Sequence, residues 1–192
     1  MEQGIPPCWL APRAPLLEVD FGCHRGAFLT GMATAFPERN FLGIEKQSAR
    51  VEICNKRFLR LGLPNALAIR GEGEQALKEF LPDASASTLH VSFPDPWPKR
   101  RHERRRVVAP GFLFQAARVL RADGVLRLMT DDAAYFEQMK NLTAAGWVKI
   151  PWDDGIERPL TTFEKTFLAL GKAPFRCALR PGEKPLICGN PA

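Results

Sequence analysis

The stretch LLEVDFGCHRGAFLTGMATAFPERNFLGIE, residues 16–45, contains one complete strand–helix–strand unit. Leu16–Phe21 is apolar enough for a buried strand and ends in the turn Gly22–Gly26. Ala27–Phe36 has helical character and is followed by a proline, and Asn40–Glu45 is the next strand. Two strands that are joined through a helix usually pair in parallel, so this unit predicts an α/β fold.

The same alternation continues along the chain. The further predicted helices are Ser48–Leu61, a short helix that ends near Phe80, Pro110–Leu120 and Ala133–Ala145. The further predicted strands are Ala66–Arg70, Thr88–Phe93, Val125–Met129, Trp147–Pro151, Thr166–Leu170 and Arg176–Leu179. Residues 1–14 are rich in proline and lack periodicity, so we expect an N-terminal arm there, a domain over residues 15–180 and a tail over residues 181–192. The alternation predicts a parallel sheet with helices on both faces.

Length and composition favour a single domain with a sizeable core. The chain has 192 residues, of which 45% are hydrophobic. No apolar run approaches the ~20 residues of a membrane span, and the first residues lack the basic and apolar pattern of a signal peptide. The five cysteines form no CxxC pair, which indicates neither a disulfide framework nor a metal site and favours a cytoplasmic location.

The segment SFPDPWPKRRHERRR, residues 92–106, joins a rigid loop to a basic run. Its three prolines fix their own φ and restrict the preceding residues, so Asp95 is expected in a stiff loop. Lys99–Arg106 carries six cations and one anion, so it accounts for +5 of the formal net charge of +6, and the remainder is nearly neutral. Such local charge is typical of a surface that meets phosphates, although an exposed charged loop without a function has the same composition. An acid held beside it suggests chemistry on a nucleic acid.

Several acids lie at or just beyond the carboxyl ends of predicted strands, at the edge where α/β sheets bind ligands. These residues are Asp20, Glu45, Glu72, Asp95 and Asp131. A carboxylate at Glu45 is well placed to accept hydrogen bonds from ribose hydroxyls, and one at Glu72 to receive an adenine amino group. Acids also occur here only because they favour helix N-termini, and the glycine turn completes no dinucleotide fingerprint.

The motif Phe93-Pro94-Asp95-Pro96-Trp97-Pro98-Lys99, with Arg100-Arg101-His102 after it, closely resembles the hallmark of tRNA (guanine-N7)-methyltransferases. The resemblance runs from about Leu17 to Arg176 and includes Gly43-Ile44-Glu45, Thr130-Asp131 and Thr161-Thr162-Phe163-Glu164. It implies the class I methyltransferase fold, a three-layer α/β sandwich with a mostly parallel seven-stranded sheet. It also implies S-adenosylmethionine as the cofactor and tRNA as the partner, with guanine 46 of the variable loop as the substrate.

The resemblance implies roles for individual residues. This chain departs from the family pattern at three positions. The positions that correspond to cofactor-binding residues are Asp20, Gly22, Glu45, Glu72 and Asp95. Those that correspond to substrate-binding residues are Lys99, Asp131, Thr161 and Glu164. Asp95 also matches the acid proposed as catalytic, and no metal is implied. In this chain His24 replaces the middle glycine of the first loop, Asp20 replaces a glutamate and Glu72 an aspartate.

The implied chemistry needs few special groups. Guanine N7 already has an unprotonated in-plane lone pair at neutral pH, so it needs no general base. A carboxylate at Asp95 would stabilise positive charge that develops on the base, or would accept from the N1–H and N2–H edge and so select guanine over adenine. Three alternatives stay open: a non-catalytic RNA-binding protein on this scaffold, a nicotinamide-dependent oxidoreductase, and a methyltransferase for another RNA or a small molecule. The oligomeric state, monomer or homodimer, also stays open.

Overall fold

A computed structural model describes residues 4–11, 14–144 and 146–182, so Cys188 and most of the expected tail lie outside the described residues. The strands are β1 Leu17–Phe21, β2 Asn40–Glu45, β3 Ala66–Arg70, β4 Ala86–Ser92, β5 Leu120–Thr130, β6 Trp147–Ile150 and β7 Phe175–Pro181. The α-helices are α1 Ala27–Ala35, α2 Ser48–Arg60, α3 Gly73–Phe80, α4 Pro110–Val119, α5 Ala133–Thr143 and α6 Thr162–Ala169. Two 3-10 helices are formed by Pro7–Trp9 and Arg100–Arg105. Among the described residues, no helix is both long and apolar enough to span a bilayer.

The seven strands form one sheet in the order β3-β2-β1-β4-β5-β7-β6. Strands β1 to β5 pair in parallel, and β7 runs antiparallel to both of its neighbours, β5 and β6. The strand order reverses between β1 and β4, and a crevice opens at such a switch point beyond the carboxyl ends of the strands. The predicted α/β fold with a mostly parallel seven-stranded sheet is therefore confirmed.

Helices cover both faces of the sheet, and each face has its own apolar core. Along β2, Phe41 belongs to the cluster that α1 and α2 cover, whereas Leu42 belongs to the larger cluster under α3, α4 and α5. This difference follows from the alternation of side chains along a strand. Trp9, which lies within the expected N-terminal arm, is buried in the larger cluster.

The predicted strand Thr166–Leu170 is wrong, because these residues belong almost entirely to the helix α6. Thr161 Oγ1 accepts a hydrogen bond from the backbone N–H of Glu164, and Glu164 Oε2 accepts one from the backbone N–H of Thr161. This reciprocal capping box satisfies two N–H groups that a helix start leaves unpaired. The Thr-x-x-Glu spacing at 161–164 is the sequence signal that would have predicted the helix.

Candidate active site

A cavity of about 1130 Å³ opens beyond the carboxyl ends of β1, β2, β3 and β4, at the switch point of the sheet. Small-molecule sites commonly have volumes of about 300–1,000 Å³, so this one has room for a nucleoside-sized cofactor and a nucleobase together. Six of the nine cofactor- and substrate-binding residues that the resemblance implies line it, namely Asp20, Gly22, Glu45, Glu72, Asp95 and Thr161. The fold thus gathers most of the expected site at one edge.

Glu45 organises the loop that follows β1. Its side chain is only 3% exposed, and its Oε2 accepts a hydrogen bond of 3.1 Å from the backbone N–H of His24. Its Oε1 accepts one of 3.0 Å from the backbone N–H of Gln47, and Arg50 Nη1 lies 3.6 Å from Oε2. A carboxylate has about four acceptor sites, so Glu45 can hold the loop and still accept from a ligand in the cavity.

His24 adopts the backbone conformation that a glycine would take in this loop. Its φ is 53°, in the left-handed region, which costs a side-chain-bearing residue about 1–2 kcal/mol. The hydrogen bond to Glu45 supports this geometry. The imidazole ring lies edge-on to the ring of Phe163, with 6.3 Å between centroids. Burial and then the charges of Arg50 and Arg25 lower the pKa of His24, which favours the neutral form of the ring.

Asp20 is a buried acid with no partner in the described chain. It is 5% exposed, lines the cavity and accepts no side-chain hydrogen bond from any described residue. Burial, and then the charge of Glu45, raises the pKa of Asp20 to about 8, so the protein alone holds this acid protonated at pH 7. A ligand that carries positive charge would favour its ionised form. A buried acid without a partner therefore fits a nucleoside cofactor that carries positive charge.

Asp20→Asn should stabilise the ligand-free protein at alkaline pH. The folded-state pKa of Asp20 lies above the ordinary value of 3.8, so the wild type loses stability as pH rises from about 4 to about 8. Asparagine does not ionise and avoids this loss. In thermal unfolding at pH 6 and pH 9, the advantage of the variant should grow with pH, on the order of 1–3 kcal/mol. An advantage that is equal at both pH values would show that Asp20 does not titrate in this range.

Asp95 stands at the mouth of the cavity, in the loop between β4 and the second 3-10 helix. Its side chain is 67% exposed, and its Oδ2 lies 3.6 Å from Lys46 Nζ. Phe93 and Trp97, which flank it, have φ values of 51° and 42°. Positive φ is uncommon for aromatic residues and collects at functional sites, where the surroundings hold the strained backbone in place.

Arg106 is one of the residues that hold this loop. Its Nε donates to the backbone oxygen of Pro96 over 2.7 Å, and its Nη2 donates to that of Trp97 over 3.4 Å. Its Nη1 donates to Gln138 on α5, and its guanidinium lies 4.9 Å from the centre of the Tyr135 ring. Arg106 thus fastens the loop to α5, whereas the sequence suggested that the whole basic run meets phosphates.

An aromatic cluster, Phe93, Phe163 and Phe167, joins α6 to the Asp95 loop. Phe93 stacks on Phe167 with 5.3 Å between ring centroids, and it lies 5.8 Å from Phe163. Phe163 lines the cavity and is 49% exposed. An exposed flat ring at a cavity wall is a surface on which a nucleobase stacks. Sequence reasoning missed this cluster because its members are far apart in the chain.

A smaller cavity of about 240 Å³ adjoins the first one and shares Phe28, Ser92 and Thr161 with it. Glu164 lines the smaller cavity and is buried. Its Oε1 accepts from Arg176 Nη2 over 2.8 Å, while its Oε2 caps α6. Of the expected substrate-binding residues, Thr161 therefore lies where the cavities meet, and Glu164 lies beside it in the smaller cavity.

Lys99 and Asp131 are exposed and line neither cavity. Their proposed role in substrate binding stays a prediction. The lysine that lies against Asp95 is Lys46, which the sequence did not single out.

Comparisons with known proteins agree with this architecture. A family model described as "Putative methyltransferase" matches residues 14–177. The chain is 32% identical over 176 residues to a tRNA (guanine-N(7)-)-methyltransferase of Geobacillus thermodenitrificans, which covers 88% of this chain and 81% of that protein. It is 36% identical over 163 residues to the protein of that name from Levilactobacillus brevis, covering 81% and 75% of the two chains. The solved aminoglycoside resistance methyltransferase NpmB1 superposes with a TM-score of 0.63 at 17% identity, over 92% of this chain and 91% of that one, which shows the fold alone.

Proposed function

We propose that this chain, which belongs to the family of tRNA (guanine-N7)-methyltransferases, methylates N7 of guanine 46 in the variable loop of tRNA. Membership of the family carries the general activity, the S-adenosylmethionine-dependent methylation of guanine N7 in tRNA. The observation that supports the proposed site is the position of Asp95, at the mouth of a cavity that Asp20 and Glu45 line and beside the basic run.

The cavity, with its volume of about 1130 Å³ and the buried acids Asp20 and Glu45, suits S-adenosylmethionine as the cofactor. When bound, the cofactor would supply a methyl group from its sulfonium, whose carbon–sulfur bond would break in the transfer and leave a neutral thioether. We propose that Asp20, as an unpartnered buried acid, faces its positive charge and that Glu45 accepts from its ribose hydroxyls. Gly22, with a φ of 74°, lets the backbone pass close to the ligand, and Glu72, which lies after β3, lines the same cavity.

The residues around the target base mainly have to orient it and stabilise its charge. Orientation contributes up to about 7–11 kcal/mol in the best intramolecular models. N7 attacks through its own lone pair, so no side chain has to remove a proton. The guanine becomes positively charged as the new bond forms, and the carboxylate of Asp95 stabilises that charge at the cavity mouth. The ring of Phe163 offers the base a stacking surface on the same wall.

The decisive experiment is nucleoside mass spectrometry of tRNA that lacks the modification, after incubation with the protein and S-adenosylmethionine. We expect 7-methylguanosine, and we expect none when guanine 46 of the transcript is replaced by adenine. If the altered tRNA is methylated equally, position 46 is wrong. If unmodified tRNA binds and stays unmethylated while the cofactor binds, the chain is a non-catalytic RNA-binding protein.

Arg106→Ala should lower methyl transfer at saturating tRNA about tenfold or more, because the Asp95 loop loses its anchor on α5. The dependence of tRNA affinity on salt should change little. Arg104→Ala is the matched variant, since Arg104 is exposed and lines the cavity. The Arg104→Ala variant should keep the wild-type turnover at saturating tRNA. Its slope of log tRNA affinity against log salt should be flatter by about 0.7–0.9. Equal changes of slope in the two variants would contradict the anchoring role.

A further inference from the structure

A second group of cations lines the cavity, apart from the basic run. We call it the second lip: Arg25 follows β1, Lys46 follows β2, and Arg50 and Arg57 lie on α2. In the strand order these elements lie on the β2 side of the switch point, whereas the basic run follows β4 on the other side. The sequence showed that the net charge of the residues outside the basic run is close to zero, and that sum is correct. The fold concentrates four of those cations at one opening.

The fold itself does not need three of these four cations, Arg25, Lys46 and Arg57. Arg25 and Arg57 make no ion pair and no side-chain hydrogen bond with any described residue, although both line the cavity. Arg50 and Lys46 each lie 3.6 Å from a carboxylate, and those carboxylates belong to Glu45 and Asp95 of the proposed site. The pair of Lys46 with Asp95 lies at a solvated surface and contributes little to stability, whereas Arg50 pairs with the buried carboxylate of Glu45.

The proposed cofactor does not explain these cations either. S-adenosylmethionine carries a sulfonium, an ammonium and one carboxylate, so its net charge is positive. One carboxylate can pair with one of the four cations, and the others would oppose binding of a positive ligand. Four cations around one opening are suited to a ligand with several negative charges, and an RNA backbone has one on each phosphate.

We propose that the second lip binds the RNA backbone on the opposite side of the target nucleotide from the basic run. This inference rests on the proposed function. A guanine that enters the cavity as far as Asp95 has to leave its stack, so the RNA strand passes the opening on both sides. Arg104 and Arg105 line the cavity from the side of the basic run. The second lip reaches Asp95 through the ion pair of Lys46 with this acid, and the basic run follows Asp95 in the chain. The target base would therefore enter between the two basic surfaces.

The test compares two triple variants that lose the same charge. Arg25→Ala/Lys46→Ala/Arg57→Ala removes three cations of the second lip. Arg60→Ala/Lys78→Ala/Lys149→Ala removes three exposed cations that line neither cavity. Fluorescence anisotropy would give tRNA affinity at several salt concentrations, and calorimetry would give the affinity for S-adenosylmethionine.

We expect the lip variant to flatten the slope of log affinity against log salt by about 2.1–2.7, because each of three phosphates that is no longer neutralised changes the slope by about 0.7–0.9. The control variant should keep the wild-type slope, and both variants should bind the cofactor within about threefold of wild type. A wild-type slope in the lip variant would overturn the proposal. The proposal would also be overturned if the lip variant lost cofactor affinity while its salt slope for tRNA stayed unchanged. These cations would then belong to the cofactor site.

The failure of this inference is distinguishable from failure of the proposed function. If the wild type methylates tRNA and the lip variant keeps its salt slope, only the second lip is wrong. If the wild type neither binds nor methylates tRNA, the proposed function is wrong. If the triple variant unfolds, the single variants Arg25→Ala and Arg57→Ala carry the test, and each should flatten the slope by about 0.7–0.9.

Discussion

Replacing Asp95 with asparagine should lower methyl transfer at saturating tRNA by about 100-fold or more. Asparagine keeps the size and one acceptor oxygen of the side chain and removes its charge. The charge that develops on guanine then has no carboxylate at the cavity mouth, where Asp95 is 67% exposed and paired only loosely with Lys46. Single-turnover methyl incorporation would measure the effect, with tRNA affinity measured separately to show that binding persists.

Asp123→Asn is the matched control for this prediction, because it makes the same substitution at an exposed acid that lines neither cavity. It should methylate tRNA at the wild-type rate. Undiminished turnover in Asp95→Asn would remove the acid from the mechanism. A loss of tRNA affinity equal to the loss of rate would instead make Asp95 a binding residue for the guanine edge.

Glu45→Ala should weaken binding of S-adenosylmethionine by about 10- to 100-fold, which corresponds to about 1.5–3 kcal/mol for hydrogen bonds to a charged group. Two effects combine. The ligand loses an acceptor for its ribose hydroxyls, and the backbone N–H groups of His24 and Gln47 lose the carboxylate that holds the loop. Calorimetry on the folded variant would measure the affinity, and thermal unfolding would show how far the loop contributes to stability.

Two companion variants separate these effects. Glu45→Gln keeps an acceptor oxygen for the loop and loses the charge, so its stability should fall less than that of Glu45→Ala. Glu52→Ala removes an exposed acid on α2 that pairs with Lys56 and should bind the cofactor normally. An unchanged affinity in folded Glu45→Ala would show that the acid at the end of β2 does not face the ribose.

The sheet was predictable because each of its units is encoded over short stretches. Apolar strands such as Asn40–Glu45 and Ala66–Arg70 have the bounds that the sequence predicted. The prediction was wrong at Thr166–Leu170, where apolar and β-branched residues resemble a strand. The helix forms because Thr161 and Glu164 cap its first turn, and Glu164 is held in turn by Arg176 of β7. Only the second of these two interactions depends on a residue distant in the chain.

The candidate site also contains residues that the sequence located and one role that it did not indicate. The sequence located Asp20, Glu45, Glu72 and Asp95, because acids at or just beyond the carboxyl ends of parallel strands meet at one edge of the sheet. It did not indicate that Arg106 anchors the Asp95 loop. The role of Arg106 depends on the carbonyl groups of the loop and on Gln138 of α5, which the fold brings to the guanidinium.

The sequence by itself therefore determined the alternation of strands and helices, the stiff loop that carries Asp95 and the family to which the chain belongs. Each strand, each helix, the loop and the family motif Phe93–Lys99 depend on residues that are near one another in the chain. The tertiary structure alone decided that Asp20 is buried beside Glu45 with a raised pKa, and that Arg25, Lys46 and Arg57 line the same opening. Burial and electrostatic interaction depend on distances in space, and those distances exist only once the strands have paired and the helices have packed on them.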